Sequence, residues 1–342
     1  MKTPLLLLLC LALLPLAGCY REPVIEGQYA DEYYLRHLDA DLPVWVRGNR
    51  SSRSFIIFLH GGPGGSAMID VLSRSLRDVT DAHPVVFYDQ RLSGFAHGRR
   101  NLDQMSLDQM TEDLNQVIQF VEATYQPESI FLMGHSWGGY LGTAYLLDSL
   151  RQQRISGWIE VAGAHNFQLT WQAEIEYVTP IAQQRIAAGE DTAKWQSFLR
   201  WVEEHPEISS LEDLLYVNQH AHSVDGKPDT EAAYEFPATF WALTSPFPPT
   251  SSQALILEGL ENLLLSPGFD AEMARIRTPA LLLYGAYDAV VPKALAQHAW
   301  DHLGTPDADK RIFIMPQEGH SMWEIEPQLF AQQVRAFIEA YE

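Results

Sequence analysis

Residues 129 to 146 constrain the chain more than any other stretch: the apolar run SIFLM leads into GHSWGG and then into the helical pattern YLGTAYL. A strand must reverse into a helix across one sharp turn centred on Ser136. Glycines at 134 and 138 tolerate the backbone strain of such a turn and let strand and helix approach closely, which pushes the serine hydroxyl out at the strand end. The pattern G-x-S-x-G also arises by chance. With a strand before it and a helix after it, Ser136 becomes a candidate nucleophile.

The rest of the chain supplies matching elements. Residues 32 to 38 and 42 to 47 read as a hairpin around Asp39-Ala40-Asp41. Short continuous apolar runs follow at 55 to 59 (FIIFL), 85 to 88 (VVFY), 129 to 133, 155 to 163 (ISGWIEVAG), 280 to 285 (ALLLYG) and 311 to 315 (RIFIM), as parallel strands covered on both faces require. Ser106 and Gln109 form a capping-box pattern ahead of a helix whose Met110, Leu114, Val117, Ile118 and Val121 share one face. The expected class is α/β, a mostly parallel sheet with helices on both faces. The alternation stops after Ala164 and resumes near Ala271, which is too long an interval for a loop. We expect a helical cap over 165 to 270, including WQAEIEYVTPIAQQRIAA and the proline-rich SPFPPTS, inserted into a core of 28 to 164 and 271 to 342.

A serine hydroxyl needs a base, and the imidazole that acts as base needs an orienting carboxylate. Asp288 follows ALLLYG and His320 follows RIFIM, so both emerge at strand ends, in the order serine, acid, histidine. Position and order single out His320 among twelve histidines. Asp270 and Asp301 are rival acids that follow no expected strand. HGGPGG at 60 to 65, directly behind FIIFL, reads either as a tight connection or as a loop whose main-chain N–H groups face a ligand.

HGGPGG, YDQRLSG at 88 to 94, GHSWGG at 134 to 139, GAYDAVVP at 285 to 292 and EGHSMW at 318 to 323 together resemble the prolyl aminopeptidase (proline iminopeptidase) family of α/β-hydrolases, including the tricorn-interacting aminopeptidases. The resemblance implies an α/β-hydrolase fold, a Ser136-His320-Asp288 triad, an oxyanion hole from the N–H groups of Gly62 and Trp137, and release of N-terminal residues from short peptides without metal or cofactor. It further implies cap carboxylates that hold the substrate ammonium. The chain departs from the family where Leu92 and Ala96 replace the glycine and serine of DQRG-x-G-x-S. It also lacks a clear W-x-x-W-E element: Trp195, Trp201 with Glu203 and Glu204, and Glu174 with Glu176 are loose substitutes, and each glutamate is expected on a solvated helix face before it is expected in a site. Arg91 reads as a binder of a substrate carboxylate or as the buried partner of Asp89. His220-Ala221-His222 lacks a third ligand at recognisable spacing and reads as an exposed loop beside Asp225-Gly226-Lys227-Pro228, so no metal is expected. The same triad on a neutral ester gives a carboxylesterase or lipase, and a non-catalytic binding relative is a third reading.

The N-terminus sets the compartment. Residues 1 to 18 have a lysine, a leucine run and small residues, the shape of a secretory signal, and Leu16-Ala17-Gly18-Cys19 resembles the lipobox of bacterial lipoproteins. That resemblance implies cleavage before Cys19, diacylglycerol on its sulfur, a linker over 19 to 27, and a cell-envelope protein anchored by lipid, with Tyr20 pointing to the outer membrane facing the periplasm. Cys10, the other of two cysteines, lies inside the signal, so no internal disulfide is expected. With 44 acidic against 23 basic residues, nucleic acid is excluded as an expected partner; a short peptide or small molecule remains, with the membrane reached only through Cys19. Cys19→Ser is expected to abolish fatty-acid labelling and move the protein from the membrane to the soluble or unprocessed pool. Fractionation with metabolic labelling checks this. Membrane retention of the processed serine variant after a high-salt wash contradicts it.

Overall fold

The computed structural model describes residues 26 to 73, 76 to 98, 104 to 228, 260 to 261, 263 to 265 and 268 to 342. Residues 1 to 18, read above as a secretory signal, Cys19, most of the expected 19 to 27 linker and SPFPPTS lie outside the described residues. No helix among the described residues is long and apolar enough to cross a membrane.

The hairpin forms from β1 (Gln28–His37) and β2 (Ala40–Asn49), longer than the sequence pattern suggests. Its turn falls at Leu38-Asp39, with Leu38 at φ 53, so Ala40 and Asp41 join the strand instead of the turn. The apolar runs become β3 (Ser54–Leu59), β4 (Val85–Tyr88), β6 (Ser129–His135), β7 (Gly157–Val161), β8 (Ala280–Gly285) and β9 (Lys310–Met315), with a short β5 (His97–Gly98) beside β2. Every residue of β3, β4, β7 and β8 is buried, which is why these strands read as unbroken apolar runs. The sheet order is β1-β2-β4-β3-β6-β7-β8-β9, antiparallel through β1, β2 and β4 and parallel from β4 onward. Register aligns Leu59 with Gly134, His135 with Val161, and Gly285 with Met315. The loops after β3, β6, β7, β8 and β9 therefore leave from one edge of the sheet.

The helix α1 (Leu107–Tyr125) starts at Ser106, whose hydroxyl accepts from the Gln109 N–H at 3.1 Å, and it buries Met110, Leu114, Val117, Ile118 and Val121. The Gln109 side chain turns to the Asp113 carboxylate at 3.0 Å. Behind Ser136 runs α2 (Trp137–Leu146). Between β7 and β8 lie α3 (Phe167–Ala188), α4 (Thr192–Glu204), α5 (Leu211–His222) and the single turn α6 (Asp270–Met273). After β8 come α7 (Ala294–His302) and, after β9, α8 (Pro327–Tyr341). Val178, Ala182, Trp195, Phe198 and Ala221 of the inserted helices form their own small core, and Ala289, from the loop after β8, is buried in it. The inserted helices thus grip a core loop next to Asp288.

Arg91 takes neither role anticipated for it. Its guanidinium forks onto Asp113 of α1, Nε to Oδ2 at 2.9 Å and Nη2 to Oδ1 at 2.7 Å, and donates to Gln104 at 2.9 Å. Asp113 also meets His37 Nδ1 of β1 at 2.6 Å, so one buried carboxylate joins the DQR loop, a helix and the edge hairpin. Asp89 lies elsewhere, on the backbone of the loop after β3. Arg91 and Asp113 are both almost fully buried, and stranding one charge of such a pair is more costly than the pair is stabilising. Arg91→Ala should therefore lose about 3 to 5 kcal/mol in urea unfolding, and Arg91→Lys should recover only part of it because an ammonium cannot fork onto both oxygens.

Candidate active site

Ser136 sits at the turn between β6 and α2 with φ 56 and ψ −119, a left-handed backbone unusual for a serine. Three main-chain bonds hold it there: its N–H donates to Val161 O at 3.0 Å, and its carbonyl accepts from Gly139 at 2.8 Å and Ala164 at 3.1 Å. The glycines are required by close approach. A Cβ on Gly134 would lie 2.4 Å from Gly138 O, and one on Gly138 would lie 2.0 Å from Leu59 O. Trp137 opens α2, so its N–H has no partner within the helix.

Asp288 and His320 come together at the same edge. His320 Nδ1 meets Asp288 Oδ2 at 3.1 Å, while Asp288 Oδ1 accepts from the N–H groups of Val290 and Val291 at 2.9 and 2.8 Å. Burial alone would lower the His320 imidazole, but the Asp288 carboxylate beside it, with Asp225 and Glu324 farther out, outweighs burial and holds its pKa above the ordinary histidine value. His135, the residue before the serine, donates from Nε2 to His320 O at 2.9 Å and packs its ring 4.8 Å from the His320 ring. Burial first, and then the neighbouring His320, press His135 down to about 3, so it stays a neutral donor. Asp225 has no recognisable motif around it. Yet its carboxylate accepts from His320 N and from Ala289 N, both at 3.0 Å, clamping the two loops that carry the acid and the histidine.

The DQR segment explains how the loop after β3 is held. Asp89 is fully buried and accepts from Ser66 Oγ, from Ala67 N at 2.7 Å and from Phe95 N at 2.7 Å. Burial pushes its carboxyl up to about 7 against the pull of those donors. Gln90 bridges both sides of the site: its N–H donates to His60 Nε2 at 3.0 Å, its amide donates to His60 O at 3.0 Å, and its carbonyl accepts from Trp137 Nε1 at 2.8 Å. Leu92, which replaces the glycine of the pattern that YDQRLSG resembles, adopts φ 56 and is buried in the core.

Gly62 and Trp137 flank Ser136 in a pocket whose apolar wall includes Phe167, Trp171, Leu214, Val290 and Val291. Thr170, Glu174 and Asn218 of the inserted helices also line it, the last two joined by a 2.7 Å bond from the Asn218 amide. Glu174 is not on a solvated face: it is almost completely buried, and burial pushes its carboxyl well above the usual range, with the Asn218 bond opposing and Asp288 adding to the shift. Glu176, Glu203 and Glu204 are exposed. Trp195 is buried in the small core, and Trp201 stacks on His205 and Tyr216 at 4.2 and 4.3 Å. The His220-Ala221-His222 segment is helical and not an exposed loop, because the His220 ring packs among Trp195, Phe198 and Tyr216 while its Nδ1 donates to Tyr216 O. Asp270 bonds Asn166 and Asp301 bonds Gln297, so neither is the partner of His320.

A family model described as the alpha/beta hydrolase fold matches residues 55–327. Probable aminopeptidase YbaC of Bacillus subtilis is 23% identical over 296 residues, covering 84% of this chain and 89% of the relative. The proline iminopeptidase of Saccharolobus solfataricus is 24% identical over 320 residues, covering 90% of this chain and 92% of that one. The crystal structure of a proline iminopeptidase-related protein from Thermus thermophilus superposes with a TM-score of 0.63 at 20% identity, covering 91% of this chain and 98% of that one. With the strand–serine–helix turn, the sheet order and the matched span in agreement, this chain belongs to the alpha/beta hydrolase fold family.

Proposed function

We propose that the chain is a serine hydrolase that cleaves amide bonds, an aminopeptidase acting on short peptides. The observation that carries this reading is Glu174, an acidic group buried in the pocket that Ser136 lines. An exopeptidase reading a free N-terminus needs a partner for an ammonium, and a desolvated carboxyl supplies one. Burial raises the Glu174 carboxyl well above the usual range, and an ammonium bound beside it would favour the carboxylate as the ion pair forms. The aminopeptidase and proline iminopeptidase names of the relatives support the same reading.

In this mechanism His320 Nε2 takes the Ser136 proton as Oγ attacks the scissile carbonyl, and Asp288 keeps the proton of the imidazole on Nδ1. The carbonyl oxygen gathers negative charge against the N–H groups of Gly62 and Trp137, each worth about 3 kcal/mol in the transition state. Collapse of the tetrahedral intermediate breaks the C–N bond, and His320 gives its proton to the departing amine. Water, deprotonated by His320, then releases the acyl group and restores Ser136.

An ester reading has one observation in its favour, since the apolar wall of Phe167, Trp171, Leu214, Val290 and Val291 also accepts a neutral acyl chain. Substrate pairs separate the two. Ser136→Ala should lose turnover and labelling by a fluorophosphonate. N-acetylation of an aminoacyl-arylamide should lower kcat/KM at least about a hundredfold, because it removes the ammonium that pairs with Glu174 and adds bulk where that ammonium sits. Glu174→Gln should shrink that discrimination while sparing phosphonate labelling. Equal rates on free and acetylated substrates, with faster turnover of aryl esters, reject the peptidase reading.

The base must be neutral to act, so kcat/KM should rise with pH through an apparent pKa above that of an ordinary histidine. Asp225→Asn removes one of the carboxylates that raise it, so the acid limb of the pH–rate profile should move to lower pH. An unmoved limb would show that Asp225 acts only through its hydrogen bonds.

A further inference from the structure

A second cluster of titratable groups lies where the inserted segment leaves and rejoins the sheet. Asp270 of α6 and His298 and His302 of α7 offer one ligand atom each, all within 4.8 Å of one another. His298 Nε2 and Asp270 Oδ2 are 3.4 Å apart, the edge of a tetrahedron whose centre is about 2.1 Å from each corner, which is the reach of zinc to nitrogen and carboxylate oxygen. His298 and His302 are four residues apart on one helix face, their rings stacked 4.0 Å apart.

The remaining ring nitrogens are already committed in the sense a metal requires. His302 Nδ1 donates to His298 O at 2.8 Å, which leaves its Nε2 lone pair free. His298 Nδ1 meets His165 Nε2 at 2.9 Å, and His165 Nδ1 meets Glu160 Oε1 at 2.8 Å. Glu160 and His165 are fully buried, and Glu160 also accepts from Tyr284 Oη at 2.6 Å. A carboxylate at the end of this chain makes His165 donate from Nδ1 and accept at Nε2, so His298 donates from Nδ1 and turns an unprotonated Nε2 towards Asp270. This is the outer-shell arrangement that orients histidine ligands in metal sites. Asp270 is oriented as well, by the Asn166 amide at 3.0 and 3.2 Å.

We propose that Asp270, His298 and His302 bind one divalent transition metal of the zinc class, with water completing the coordination. Two imidazoles and one carboxylate suit zinc, cobalt or nickel and disfavour calcium and magnesium, which take oxygen ligands. His165 and Asn166 stand at the entry to the inserted segment, Asp270 at its exit and α7 in the core, so a bound ion ties both crossings to the core without touching Ser136.

The test titrates the chelator-stripped full chain with Zn²⁺ by calorimetry and follows the unfolding midpoint. One equivalent should bind, the midpoint should rise with Zn²⁺ concentration as linkage requires, and Co²⁺ should give a visible tetrahedral absorption. His302→Ala should weaken binding at least about a hundredfold, and His165→Phe, which removes no ligand atom but takes the acceptor from His298 and a partner from Glu160, about ten- to a hundredfold with folding checked by circular dichroism. If His302→Ala fails to fold by circular dichroism, Asp270→Asn decides in its place. No Zn²⁺ uptake, or uptake equally tight in the ligand variants and the parent, overturns the proposal.

Discussion

The left-handed backbone at Ser136 is the constraint on which the rest of the site depends. A serine at φ 56 is strained by about 1 to 3 kcal/mol, and such strain persists only where the surroundings hold it from several sides. Here β6 fixes the residue from behind, the carbonyl of Val161 on the neighbouring strand takes its N–H, and Gly139 and Ala164 bind its carbonyl. Gly134 and Gly138 then serve packing more than flexibility, since any side chain there would drive α2 away from the sheet. The turn, the helix behind it and the neighbouring strand are one unit.

The residues after β4 show how a short motif divides its labour. Asp89 gathers the main chain beyond HGGPGG, Gln90 joins His60 to the Trp137 indole, and Arg91 turns away to Asp113. Each side chain holds a different element in place, and all three are buried. Removing any one leaves polar groups without water to replace the partner, which is why such networks are costly to break and rigid when complete.

The inserted helices are joined to the chemistry by more than proximity. Asp225 receives main-chain N–H groups from the loops of both Asp288 and His320, Ala289 is packed into the small core of the insertion, and Glu174 lines the pocket with the Asn218 amide bonded to it. The relative placement of acid and histidine is therefore set partly by a segment that belongs to neither strand. Charge follows the same route, because the Asp225 carboxylate helps to raise the His320 imidazole from outside the sheet.

What the sequence determined by itself was local or periodic. Unbroken apolar runs gave the parallel strands, because both sheet faces are covered; the Ser106 cap and the apolar stripe behind it marked α1; and the strand–G-x-S-x-G–helix pattern marked Ser136, because only that order produces the turn. The hairpin turn was misplaced because a leucine at φ 53 leaves no composition signal. Tertiary structure decided the partners: Asp113 and not Asp89 for Arg91, the pocket and not solvent for Glu174, and the two site loops for Asp225. Nothing near Asp113, Glu174 or Asp225 in the chain records these choices, since a hydrogen-bond partner or a buried face is fixed by elements tens of residues away meeting in space. Periodicity reports which face of an element is apolar, and only packing reports what lies opposite it.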